Sequence, residues 1–136
     1  MRYNVDNTDR LKKFIELVRD KPIPTGEASV DWLKANSFKD RQDAQFLEIL
    51  ELLNFVDAAK KPNQNWVAFQ NKSKTTSVMA KSLRETYSFL FQRYPDASNQ
   101  SDANLQQIFV DRKFGKDQAG RAVKTFKTLL QFAGWM

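Results

Sequence analysis

The stretch Phe38–Val56, FKDRQDAQFLEILELLNFV, read beside Phe114–Ala133, FGKDQAGRAVKTFKTLLQFA, decides the fold. Both segments open with Phe, reach an Asp at the mouth of a helix and close on Leu-Leu-polar-Phe. Leu52-Leu53-Asn54-Phe55 matches Leu129-Leu130-Gln131-Phe132. A short apolar helix precedes each, marked by Val30, Trp32 and Leu33 and by Leu105, Ile108 and Phe109. Short helix, tight turn and longer helix is the helix-turn-helix outline. The match predicts two such units, although two amphipathic helices in one domain also resemble each other by chance. Units of this kind bind nucleic acid or other proteins and seldom catalyse.

Outward from the first unit, Thr8 or Asn7 can cap a helix carrying Leu11, Phe14, Ile15 and Val18 at helical spacing, ended by Pro22 and Pro24. Ser29 caps a short helix through Ala35, Asn36-Ser37 turns the chain, and a third helix runs from about Asp40 to Leu53. Periodicity then weakens. Phe55-Val56, a basic Pro- and Asn-rich turn and Trp66-Val67 read as a small β-hairpin, or wing, with a helix over Trp66–Gln70 as the competing reading. The next helix is expected to be the longest, from about Lys74 to Arg93. Met79, Leu83, Tyr87, Leu90 and Tyr94 line one side, with Lys81, Glu85, Ser88 and Gln92 opposite. Ser101 or Asp102 caps a helix to about Lys113, Phe114-Gly115-Lys116 turns, and Asp117 caps the last helix.

The expected fold is therefore mainly α with a small β-hairpin. A winged-helix-like unit over residues 1–72 joins, through the long helix, a second helix-turn-helix-like unit over residues 73–136. The two halves are expected to share one compact body.

Composition narrows the chemistry. The chain has 136 residues, 41% of them hydrophobic and eleven of them Phe, enough for a real core. Its apolar runs are too short for a membrane span, and MRYNVDNTDR has no apolar signal region. Cys and His are both absent, which removes disulfides, the common zinc sites and every nucleophile dependent on those side chains. The lack of Cys fits a cytoplasmic protein. None of the phosphate-cradling or nucleophile-elbow glycine motifs occurs. Glu48 and Glu51 lie one helical turn apart and read as solvated charges rather than metal ligands. No cofactor, metal site or small-molecule substrate is expected.

Charge is unevenly placed. Residues 21–57 hold four basic and seven acidic side chains, residues 58–93 seven and one, and residues 116–136 four and one. The overall charge of +6 is thus concentrated in the expected wing, the long helix and the last helix, the footprint of a polyanion partner. On the last helix, Arg121, Lys124, Thr128 and Gln131 lie opposite the apolar stripe, with Gln118 and Thr125 at its edge. Such side chains reach phosphates and base edges, so this helix is favoured as the reader. The wing residues Lys60, Lys61, Asn63, Gln64 and Asn65, with Lys72 and Lys74 just after, can follow a backbone or a minor groove. In the first unit, by contrast, Glu48 and Glu51 repel phosphates. Trp66 is expected as a core anchor. The candidate partner is DNA, with a protein partner or a homodimer as the other class. The acidic first unit favours an adaptor role, such as the small partner in a prokaryotic conflict system.

Lys81–Ala97, KSLRETYSFLFQRYPDA, and Val123–Leu130, VKTFKTLL, resemble a prokaryotic family known as a domain of unknown function. The resemblance extends to Leu11–Phe14, to W-L-x(4)-F over Trp32–Phe38 and to Leu52–Asp57. Its most specific segment is R-x-x-Y-x-x-L-F-x-x-Y-P-D-A, from Arg84 to Ala97. It implies a small, mainly helical protein with no assigned catalytic residues. Arg84 matches the family's arginine, and a structural pairing with Asp96 across the helix end is expected for it. No strand pair follows the last helix, which weakens a strict tandem winged-helix reading.

Overall fold

The computed structural model describes residues 2–135, and among them it contains eight α-helices, three short 3₁₀ segments and no β-strand. Helix α1 spans Thr8–Asp20. The Asn7 side chain caps it by accepting from the Arg10 N–H, and it buries Leu11, Phe14, Ile15 and Val18. Helix α2, Val30–Ala35, is capped by Ser29 through the Trp32 N–H. A 3₁₀ turn over Arg41–Ala44 feeds helix α3, Gln45–Leu52. Buried Asp43 pairs there with Arg10 of α1. Helices α4, Gln64–Gln70, α5, Thr75–Thr86, and α6, Ser88–Arg93, follow. After a 3₁₀ turn over Ala97–Asn99 come α7, Asp102–Asp111, and α8, Lys116–Leu130, extended by a 3₁₀ turn over Gln131–Ala133.

The expected wing is absent among the described residues, and with it the winged-helix fold. One antiparallel bridge, Val56 to Pro62, is the only pairing found there. Between these residues the chain turns tightly: Asp57 Oδ1 accepts from the Ala59 and Lys61 N–H groups, and Lys60 sits at φ 67°. The pairing cannot propagate because Asn63 caps α4, its Oδ1 accepting from the Asn65 N–H at 2.9 Å. A side-chain cap on the next backbone amides commits Trp66-Val67 to a helix rather than a ladder. Trp66 is the core anchor expected of it, fully buried, with its indole N–H donating to the Val18 carbonyl at 3.0 Å.

The long helix is also two helices. Tyr87, at φ −106° and ψ 32°, breaks it between α5 and α6. Just before the break, the Ser82 and Thr86 hydroxyls donate to the Leu53 and Leu52 carbonyls, groups that the end of α3 leaves unpaired. The break turns Phe89 and Phe91 inward alongside Tyr87.

The two turns of the sequence match have the same geometry. Ser37 and Lys113 both adopt a left-handed conformation, at φ 72° and 76°. Phe38 N–H donates to the Leu33 carbonyl, and Phe114 N–H to that of Phe109. Each is a Schellman closure of the preceding helix. The helices after these turns differ. In the first unit the second helix is short and starts as 3₁₀. In the second it is α8, the longest helix of the described residues.

Helix α8 is the centre of the molecule and packs on α1, α5 and α7. Ala119, Ala122, Val123, Phe126, Leu129 and Leu130 are all buried. Since α1 packs directly on α8, the two halves share one core. Phe126 packs on Tyr87 at 4.7 Å between ring centres with the rings tilted by 53°, within an aromatic cluster that also holds Tyr3, Phe91 and Trp135.

Candidate nucleic-acid interface

A helix that is packed on three sides shows only a strip to solvent, and α8 distributes its expected readers accordingly. Lys124 and Gln118 are exposed. Gln118 Oε1 accepts from the Gly115 N–H at the helix start. Thr125 is fully buried; its hydroxyl accepts from the Val5 N–H at 3.2 Å and donates to the Arg121 carbonyl at 2.8 Å. Thr128 is buried and donates to the Lys124 carbonyl. Arg121 is half-buried, with Nε 3.9 Å from Asp6 Oδ1. Lys127 pairs with Asp102. The strip is thus Lys116, Asp117, Gly120 and Lys124, flanked by cations already paired with acids.

Of the four lysines assigned to the wing and its flank, Lys60 is paired with Glu51. Lys61, Lys72 and Lys74 are exposed and enter no ion pair among the described residues. Lys74 opens a row on α5. Lys74, Ser77, Lys81 and Arg84 recur at helical spacing, and all are exposed. Lys81 and Arg84 likewise take part in no ion pair among the described residues. Ten residues of helix place Lys74 and Arg84 about 15 Å apart. The acid beside the row on this helix is Glu85.

Arg84 does not pair with Asp96. Its guanidinium lies over the Trp135 ring at 4.7 Å, which fixes the side chain without neutralising it. At the other end no side chain among the described residues caps α5, and its first internal hydrogen bond comes from the Val78 N–H. The amides before it therefore add positive field next to Lys72 and Lys74. A groove of 730 Å³ opens here, lined by Arg19, Asp20, Gln70, Lys72 and Thr75. The Arg19 hydrogen bond, helped by Lys72 and Lys21, holds the Asp20 carboxyl below its usual range.

Helices α5 and α8 pack against each other, and α5 buries Met79, Ala80 and Leu83 while α8 buries Phe126 and Leu130 among others.

The family model for DUF5343, a family of unknown function, matches residues 4–136. The chain belongs to the DUF5343 family. No curated protein and no solved structure matches it significantly. In this DUF5343 chain, no helix of the described residues is long and apolar enough to cross a membrane. Among the same residues, no group of three acids gathers as a metal site would require. The Tyr87 hydroxyl is fully buried without a partner among the described residues. Desolvation, and then Tyr3, push its pKa up, so it remains a neutral phenol.

Sequence reasoning did not assign Lys81 and Arg84 to the interface. Their signal was the spacing of seven and then three residues from Lys74 on a face that contains no large apolar side chain.

Proposed function

We propose that this DUF5343 protein is a non-catalytic DNA-binding accessory protein that grips the phosphate backbone with α5. The observation that carries the reading is the row Lys74, Lys81 and Arg84, exposed and outside every ion pair among the described residues, with Lys72 beside it. Uncompensated cations release condensed counterions from a polyanion on binding, whereas paired cations must first break their own contacts. Arg84, held on Trp135, loses less side-chain entropy on contact than a free arginine. Contacts of this type fix position and carry no sequence information, which suits an accessory factor.

A protein partner is the second reading, and the α8 strip favours it. Charges of both signs alternate there, and Gly120 leaves open space above the helix: a Cβ at that position meets nothing within 4 Å. A mid-helix glycine costs roughly 1 kcal/mol relative to alanine, and no internal packing here requires one.

Fluorescence anisotropy with a labelled duplex tests the first reading. Micromolar binding at low salt that weakens steeply as salt rises supports it. Absence of binding at low salt rejects it in favour of the protein partner.

A further inference from the structure

Beside the α5 row lies a cleft of 270 Å³ between α5, the end of α3 and the start of α4. That is below the roughly 300–1,000 Å³ of sites that enclose drug-sized ligands and suits one flat ring. Val78 gives it a half-buried apolar side chain, with Leu53 and Phe55 buried beneath. Its rim is polar and rigid. Asn54 sits in the left-handed conformation at φ 61°, and its carbonyl accepts from both the Asn63 and Asn65 side-chain amides at 2.9 Å. Ser82 and Thr86 are tied to the α3 carbonyls. The side-chain amide of Asn54, Oδ1 of Asn65 and the Glu85 carboxylate make no hydrogen bond among the described residues. They stay free to meet the edge of a ligand. Lys81 belongs to both the cleft and the cationic row.

We propose that this cleft receives one unpaired nucleobase, so that the protein binds single-stranded DNA in preference to duplex. The inference rests on the proposed grip of α5 on phosphates. A strand whose phosphates follow Lys74, Lys81 and Arg84 carries its bases to the flank of the same helix, where the cleft opens. Amide and carboxylate groups complement the donors and acceptors of a Watson–Crick edge, and the ring lies against Val78. In a duplex that edge is already paired, and the base is unable to enter.

The test titrates the full chain with three labelled probes of equal length: mixed-sequence single-stranded DNA, a strand of the same phosphates with abasic residues, and a duplex. The expected result is binding of the intact single strand about tenfold tighter than either of the others, the scale of one well-held base. Val78→Phe, which fills the cleft, should bring the intact strand down to the abasic level and leave abasic binding unchanged. Equal affinity for intact and abasic strands, or tighter binding of duplex, overturns this inference while the phosphate grip stands. Failure of all three probes to bind removes the grip itself and the inference with it. The abasic comparison uses the unmodified protein, so it decides even if Val78→Phe proves unstable by thermal melting.

Discussion

Helices α5 and α8 both carry cations and put them to different uses. On α8, Arg121 faces Asp6 and Lys127 pairs with Asp102, Thr125 and Thr128 turn their hydroxyls to the backbone, and only Lys116 and Lys124 are exposed outside ion pairs among the described residues. Along α5, Lys74, Lys81 and Arg84 stand clear of ion pairs among the described residues. Charge counted along a sequence is therefore not charge available to a ligand. A central helix must satisfy its polar residues internally, because neighbours on three sides leave no solvent to do so. The α5 row, by contrast, is exposed, and its side chains meet solvent directly. On the function proposed above, α8 serves stability and α5 recognition.

The largest effect that tests this division is on folding. Phe126→Ala should cost about 3–5 kcal/mol, because it empties the space against Tyr87 and Phe91. Chemical denaturation measures it; a loss under about 1 kcal/mol, the range of tolerated changes, would mean that α8 is not the core element described. The matching experiment on α5 concerns binding. Lys74→Ala, Lys81→Ala and Arg84→Ala together should weaken DNA binding about tenfold or more and lower the salt slope by about three. Stability should change little, since surface substitutions usually stay within about 0.5 kcal/mol. Arg121→Ala with Lys124→Ala should reduce binding far less. Equal losses from the two sets would break the comparison and indicate a diffuse cationic surface.

The helical parts of the fold were legible because their signals are local. Asn7, Ser29 and Ser101 cap the helices they were expected to cap, and the apolar spacing of α1 and α8 matches their buried faces. The hairpin expectation failed because Phe55-Val56 and Trp66-Val67 have β-forming composition, while the deciding contact is a single side-chain cap from Asn63. The break at Tyr87 was invisible for a different reason. Its apolar stripe continues through the break, and the bonds beside it, from Ser82 and Thr86 to α3, are tertiary. The site was half legible. Sequence locates the cations but not their partners, and Asp6 with Arg121 or Glu51 with Lys60 become neighbours only in the fold.

A smaller test addresses the α8 strip. Gly120→Ala should stabilise the protein by roughly 0.5–1 kcal/mol, since the new methyl meets no neighbour and the helix gains propensity. On the proposed grip by α5, DNA binding should be unchanged. A change in DNA affinity without a change in fold would place the ligand on α8 after all.

The smallest effect probes the edge of the α5 face. Asp20 lies beside Arg19 and Lys72 and is the acid lining that groove. Its folded-state pKa lies below the ordinary 3.8, chiefly through the Arg19 hydrogen bond. A depressed carboxylate contributes stability that is fully present above its unfolded pKa and is lost as pH falls through the folded value. The side chain is 49% exposed, so solvent screens most of the interaction. Asp20→Asn should then cost only about 0.2–1 kcal/mol at neutral pH, with the difference vanishing in strong acid. The same substitution frees Arg19 and removes a negative charge near Lys72, so DNA affinity at neutral pH should rise about two- to threefold and the salt slope should steepen. Stability and affinity thus move in opposite directions from one neutralised charge. That opposition is expected if DNA lies along the groove that Asp20 lines with Lys72 and Thr75. A fall in affinity would show that the groove between α1 and α5 uses its carboxylate to receive a donor rather than a phosphate.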